Sequence, residues 1–109
     1  GKNNDKKVIS VFCWFVNNDE LYDNIINIIV HKNKKLMNEY IPKFTEHNIK
    51  YDNYNLVVYN EGIPADLDEE KLFAQIKKID NLKYQEIAIF LWKKVMVISN
   101  DNYQVFHTK

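Results

Sequence analysis

The sequence predicts a single small α+β domain in which amphipathic helices pack on a central sheet of about five strands. The chain has 109 residues, enough for one domain with its own core. Short segments alternate apolar and polar residues with a period of two, and two longer stretches repeat them at helical spacing. The elements then follow in the order β, α, β, α, β, β, β, which ends in an antiparallel hairpin.

The first predicted element is a strand from Val8 to Val16, rich in β-branched and aromatic residues. Apolar residues occupy both of its alternating faces, a pattern typical of a central strand that is covered on both sides. Residues 1–7, GKNNDKK, begin with glycine and contain no apolar side chain. We therefore expect a disordered tail or a residual tag sequence at 1–7, a single domain at 8–109, and a longer parent protein.

Helical spacing then dominates residues 19–48. The stretch NNDE, Asn17 to Glu20, has the pattern of a helix N-terminus with a capping box. Apolar residues recur at helical intervals both before and after the segment HKNKK, which predicts two helices or one bent helix. Pro42 should break or kink the second part, because proline lacks a backbone N–H and its ring clashes one turn back. A short strand is predicted at Asn55–Asn60.

The acidic segment YNEGIPADLDEE, residues 59–70, is best interpreted as the start of a helix. Asp66, Asp68 and Glu70 alternate as the first ligands of a calcium-binding loop do, but Lys71 and Lys77 stand where that loop needs glycine and glutamate. Asp66 or Asp68 should instead cap the helix that follows. If the chain were an enzyme, its acidic groups would come from this loop near Asp66, and we rank that interpretation last.

The last third of the chain predicts strands. Tyr84–Trp92 suits a buried strand but also a short helix, and we interpret it as a strand. Two further strands flank Asn100 and Asp101, whose side chains tolerate the positive φ of a tight hairpin turn. The final strand, NYQVFH, is expected at the edge of the sheet. Ferredoxin-like, thioredoxin-like and profilin-like topologies all remain open.

Composition narrows the function mainly by exclusion. The chain has 15 basic residues, all lysine, against 15 acidic ones, so no net field attracts nucleic acid or an anionic membrane. Glycine-rich phosphate loops and metal-spaced histidines are missing from the sequence, so we expect no cofactor and disfavour an enzyme. The longest apolar run is far shorter than the ~20 residues that span a bilayer.

The compartment and the source can be inferred only coarsely. Cys13 is the single cysteine, and the chain has no Asn-x-Ser/Thr glycosylation site. Both features are typical of an intracellular protein, cytoplasmic or nuclear. The abundance of Asn, Lys, Ile and Tyr is typical of an AT-rich genome, so runs of asparagine or lysine carry little functional weight.

Two main hypotheses for the function follow. The first is a non-catalytic protein–protein interaction domain, which binds another protein or a second copy through a sheet edge or a tyrosine-rich face. Its candidate contact residues are Tyr59, Asp66, Asp68, Tyr103 and Phe106. The alternative is a small domain that binds RNA or single-stranded DNA by stacking bases on an aromatic sheet face. Its candidate phosphate-binding residues are Lys32, Lys34, Lys35, Lys93 and Lys94.

Overall fold

In the computed structural model, which describes residues 6–13, 18–60, 67–91 and 93–107, five strands form one mixed sheet. The elements are β1 (Lys6–Cys13), α1 (Asn18–Lys35), a π-helical turn (Leu36–Tyr40), α2 (Ile41–Glu46), β2 (Asn53–Asn60), α3 (Glu69–Lys77), β3 (Glu86–Leu91), β4 (Lys94–Ser99) and β5 (Asn102–His107). The predicted α+β class, the five-stranded sheet and the C-terminal hairpin are confirmed.

The strands lie in the sheet in the same order as in the chain, β1-β2-β3-β4-β5. β1, β2 and β3 are parallel, and β4 and β5 continue the sheet as antiparallel strands. The connection from β1 to β2 and the connection from β2 to β3 both lead to the next strand in the same direction across the sheet. Right-handed crossovers therefore place the helices of both connections on the same face. Because β1 and β2 are direct neighbours, this is not the split βαβ arrangement of a ferredoxin-like fold.

The core lies between the helices and this one face of the sheet. Its helical members are Leu21, Ile25, Ile29 and Leu36 from the first helical segment and Leu72 and Ile76 from α3. Its sheet members are Leu56, Val58, Ile87, Ile89, Leu91, Met96 and Ile98. Burying each such side chain contributes about 1.5–3 kcal/mol, so this layer supplies most of the stability of the domain.

β1 is an edge strand, so the prediction of a central strand covered on both faces was wrong. Ile9 and Val11 pack against the core, but Val8 on the opposite face is 53% exposed. Val8 lies on a face that no described helix covers. β1 also begins at Lys6, and the predicted continuation from Trp14 to Val16 lies outside the described residues. The central position belongs to β3, which confirms the strand predicted at 84–92.

Pro42 is accommodated without ending the helical segment. The π-helical turn directly precedes it, and the Ile41 N–H donates to the carbonyl oxygen of Leu36, five residues earlier. Such a turn adds one residue to the helical ladder. Pro42 then stands in the first turn of α2, where its missing N–H costs little. The expected break is thus replaced by a local widening of the helix.

Candidate functional site on the open sheet face

The face of the sheet opposite the helices, called here the open sheet face, carries the candidate site. Side chains alternate between the two faces of a strand, and paired residues of neighbouring strands share a face. The open sheet face therefore consists of the residues that alternate with the core positions. Those whose side chains the structure describes are Lys6, Val8, Ser10, Asn53, Asn55, Val57, Tyr59, Glu86, Ala88, Phe90, Val95, Val97, Ser99, Asn102, Gln104 and Phe106.

One row of this face is apolar and partly aromatic. Tyr59 pairs with Phe90, Phe90 with Val95, and Val95 with Phe106, so these four residues form a line across four strands. We call this line the apolar row. The rings of Tyr59 and Phe90 stack with their centroids 4.9 Å apart and an angle of 26° between them. Phe90 is 38% and Phe106 52% exposed, so apolar surface remains in contact with water.

The rest of the open sheet face mixes polar residues with Val8, Val57, Ala88 and Val97, and it is nearly uncharged. Lys6 and Glu86 are its only lysine and carboxylate among the described residues, and both lie towards the amino ends of the parallel strands. Asn53, Asn55 and Ser99 help line a hollow of about 210 Å³ there. The apolar row lies at the other end, next to the carboxyl ends of β2 and β3. The face thus has an apolar half and an amide-rich half.

The open sheet face is large enough to hold a partner. Five strands about 4.8 Å apart, with about six residues each at about 3.3 Å per residue, cover roughly 24 by 20 Å, or ~480 Å². A standard protein–protein interface buries about 800 Å² on each partner. The face therefore supplies more than half of a standard interface before any neighbouring loop contributes.

The structure brings together only two of the five predicted partner-binding residues. Tyr59 and Phe106 both lie in the apolar row. Tyr103 lies on the helix-covered face, where its ring packs against Phe73 with the centroids 4.8 Å apart. Asp66 lies outside the described residues.

Asp68 has a structural position at the start of α3. Its Oδ1 accepts hydrogen bonds from the backbone N–H of Glu70 at 3.0 Å and of Lys71 at 3.3 Å, which confirms it as the N-cap. Its own N–H donates to the hydroxyl of Tyr22 in α1 at 2.9 Å. The Asp68 carboxylate therefore satisfies two of the first N–H groups of α3, and the Asp68 N–H connects the start of α3 to α1.

The five lysines proposed for phosphate binding are divided between the two ends of the sheet. Lys32, Lys34 and Lys35 lie in the last turn of α1. Tyr84 lies just before β3, and its hydroxyl donates a hydrogen bond to the carbonyl oxygen of Lys32 at 3.1 Å. This contact places the three lysines of α1 at the amino end of β3. Lys93 lies in the turn after β3, at the opposite end.

Lys94 is held by the start of α3. Its Nζ forms an ion pair with Glu69 and donates to the carbonyl oxygen of Leu67 at 3.2 Å. The hydrogen bond from Lys94 holds the pKa of the Glu69 carboxyl below its usual value. The ammonium group of Lys94 is thus partly neutralised within the domain.

Phe90 and Val95 are the residues of the apolar row that the sequence analysis did not name as candidates. Both belong to segments that were correctly predicted as strands, but apolar residues on both faces of a strand normally indicate a buried interior. The alternation alone places Phe90 on the face opposite Ile89 and Leu91. Only the strand order shows that no described helix covers that face.

Two further features are absent from the described part of the chain. It contains no group of three or more His, Cys, Asp or Glu side chains that could hold a metal ion. Within it, no helix combines the length and the apolar composition needed to cross a membrane.

Comparison with models of known protein families, with curated protein sequences and with solved structures found no match for this chain. The functional argument therefore rests on the geometry and chemistry of the open sheet face.

Proposed function

We propose that this chain is a non-catalytic protein-binding domain whose open sheet face holds an uncharged, apolar surface of another protein. The observation that carries the proposal is the apolar row, in which Phe90 and Phe106 are exposed on a face that no described helix covers. Soluble domains seldom leave contiguous apolar patches exposed unless a partner covers them.

The composition of the face supports a protein partner. The centres of protein interfaces are enriched in aromatic residues and depleted of charge, with polar groups at the rim. The apolar row fits such a centre, and the amide-rich half with Lys6 and Glu86 fits such a rim. The row also lies on strands rather than loops, so little conformational entropy is lost when it binds.

Nucleic acid is the competing partner, and the stacked pair Tyr59 and Phe90 is the observation in its favour. Bases can stack on aromatic side chains of an exposed sheet. Phosphates, however, need cations beside the stacking platform. The only described lysine on the open sheet face is Lys6, at the other end from the apolar row, and the three candidate lysines of α1 also lie at that end. Lys93 and Lys94 lie next to the row, in and after the turn that follows β3, and Lys94 is paired with Glu69. A protein partner therefore fits the charge distribution better.

An affinity capture with three immobilised forms of the chain tests the proposal: wild type, Phe90→Lys and Ile49→Lys. Phe90→Lys places an ammonium group in the apolar row. Ile49→Lys is the matched control, because Ile49 is 42% exposed in the loop before β2, away from the open sheet face. Far-UV circular dichroism and thermal unfolding establish that both variants are folded.

We expect proteins that bind wild type and Ile49→Lys and are lost with Phe90→Lys. Their affinity should fall by about 30-fold or more, the ~2 kcal/mol typical of a hot-spot residue. Equal capture by all three forms would contradict the proposal. Capture that disappears after nuclease treatment and weakens steeply with salt would favour the nucleic-acid alternative.

A further inference from the structure

The two edges of the sheet differ in their protection against strand pairing. Exposed edges are normally protected by lysine or proline, by bulges, or by charges that point inward. β1 has two lysines at its start, and Lys7 points to the helix-covered face, with its Nζ 5.7 Å from the ring centroid of Phe44. A strand added beside β1 would have to accommodate both lysines.

β5 has none of these protections. Its residues Asn102 to Phe106 include no charged residue, proline or glycine. Its pairing with β4 is continuous from Ser99–Asn102 to Lys94–His107, so no bulge turns the edge away. Tyr, Val and Phe also favour extended backbone. β5 is therefore a regular, uncharged edge strand.

The turn determines which backbone groups β5 presents at its edge. Ser99 and Asn102 flank a two-residue turn and form its closing hydrogen-bonded pair. The pattern alternates along an antiparallel ladder, so the N–H and C=O groups of Gln104 and Phe106 also point to β4. The N–H and C=O groups of Tyr103 and Val105 point outward from the β5 edge, in the plane of the sheet.

We propose that β5 pairs antiparallel with β5 of a second copy of this chain, with the two Gln104 residues opposite each other at the two-fold axis. In this register Tyr103 lies opposite Val105 of the second copy, and both have backbone groups that point outward. Cross-strand pairs of aromatic and β-branched residues are stabilising. Asn102 lies opposite Phe106 of the second copy, which covers part of that exposed ring.

Charge at the ends of the strand supports the same register. Asp101 lies opposite His107 of the second copy, and the same contact recurs on the other side of the two-fold axis. Asp101 also pairs with Lys77 of its own chain, and its carboxylate can in addition accept a hydrogen bond from an imidazole N–H. The register brings no two like charges together along β5.

The pairing closes at two copies. A two-fold contact uses the β5 edge of both chains, and among the described strands only the lysine-bearing β1 edges then remain unpaired. It also leaves Tyr59, Phe90 and Val95 of the apolar row accessible, so this inference does not depend on the proposed function. A contact along one strand of about 20 Å is small, so the dimer should be weak.

Sedimentation equilibrium of the whole chain from about 1 µM to about 1 mM tests the dimer, since interfaces below ~1,000 Å² are transient. Gln104→Lys places two ammonium groups opposite each other, and Gln104→Glu places two carboxylates there. Gln104 is exposed, so neither variant disturbs the core. Ser10→Lys is the matched control, because it adds the same charge to an exposed position of the same face at the far edge.

We expect wild type and Ser10→Lys to dimerise, the two Gln104 variants to stay monomeric, and an equimolar mixture of these two to dimerise again. Amide hydrogen exchange should show that Tyr103 and Val105 gain protection as concentration rises, while Gln104 and Phe106 are protected throughout. Three results would overturn the proposal: a wild type that stays monomeric, a dimer that Gln104→Lys leaves intact, or assemblies larger than two copies. Phe90→Lys should leave the dimer unchanged, which separates this test from that of the proposed function.

Discussion

Asn33 joins α1 to the segment before β3, and its replacement by alanine should destabilise the domain measurably. The side chain is 2% exposed. Its Nδ2 donates to the carbonyl oxygen of Asn81 at 3.0 Å, and its Oδ1 accepts from the N–H of Lys83 at 2.8 Å. The amide thus uses both its donor and its acceptor to connect parts of the chain that are far apart in sequence.

The magnitude follows from those two hydrogen bonds. Each contributes a net ~0.5–1.5 kcal/mol to stability. Asn81 and Lys83 are exposed residues, so water can replace the lost partner and the full penalty of an unsatisfied buried group does not apply. Asn33→Ala should therefore lower the free energy of unfolding by about 2 kcal/mol. That is a large share of the ~5–15 kcal/mol that holds a domain of this size together.

Urea unfolding followed by circular dichroism measures this loss. The matched control is Asn27→Ala, an exposed position of the same helix, where the change should stay within about 0.5 kcal/mol. We expect Asn33→Ala to lower the midpoint without changing the slope, because the surface exposed on unfolding stays the same. Equal midpoints for the two variants would refute the view that Asn33 anchors α1.

Three further predictions concern stability. Asp68→Ala should cost about 1 kcal/mol in thermal unfolding and Asp68→Asn much less, since asparagine also caps helices; equal losses would contradict the cap. The pKa of Glu69 is held below its usual 4.5 by Lys94, so the stability from this pair is present above pH 4.5 and is lost as pH falls below it. The unfolding free energy of Lys94→Met should therefore vary less with acid pH, and an unchanged acid profile would argue against the pair. Burial raises the pKa of Tyr84 above its usual 10.0, so stability is lost as pH rises beyond that value, and Tyr84→Phe should flatten this alkaline loss in the same unfolding measurements.

The local pattern predicted the helices and strands that the structure describes, because helix and strand spacing depend on near neighbours, but it did not predict the π-helical turn at Leu36–Tyr40. Asp68 as an N-cap and the turn at Asn100, whose φ is 57°, also follow from residue type and position. The abundance of tyrosine and the expected edge position of the last strand make Tyr59 and Phe106 candidates, and they lie in one row. Tyr103, chosen for the same reason, lies on the other face, because residue type does not reveal which side of a strand meets the helices.

The sequence by itself determined the type and order of the elements, the amphipathic side of each helix and the turn of the final hairpin. The tertiary structure decided the strand order, the edge position of β1 and the burial of Asn33. Apolar periodicity indicates which side of a strand is apolar. It does not indicate whether a helix of this chain or another molecule covers that side. That choice depends on the direction of both crossovers, which place the helices on one face and leave Phe90 and Phe106 exposed on the other.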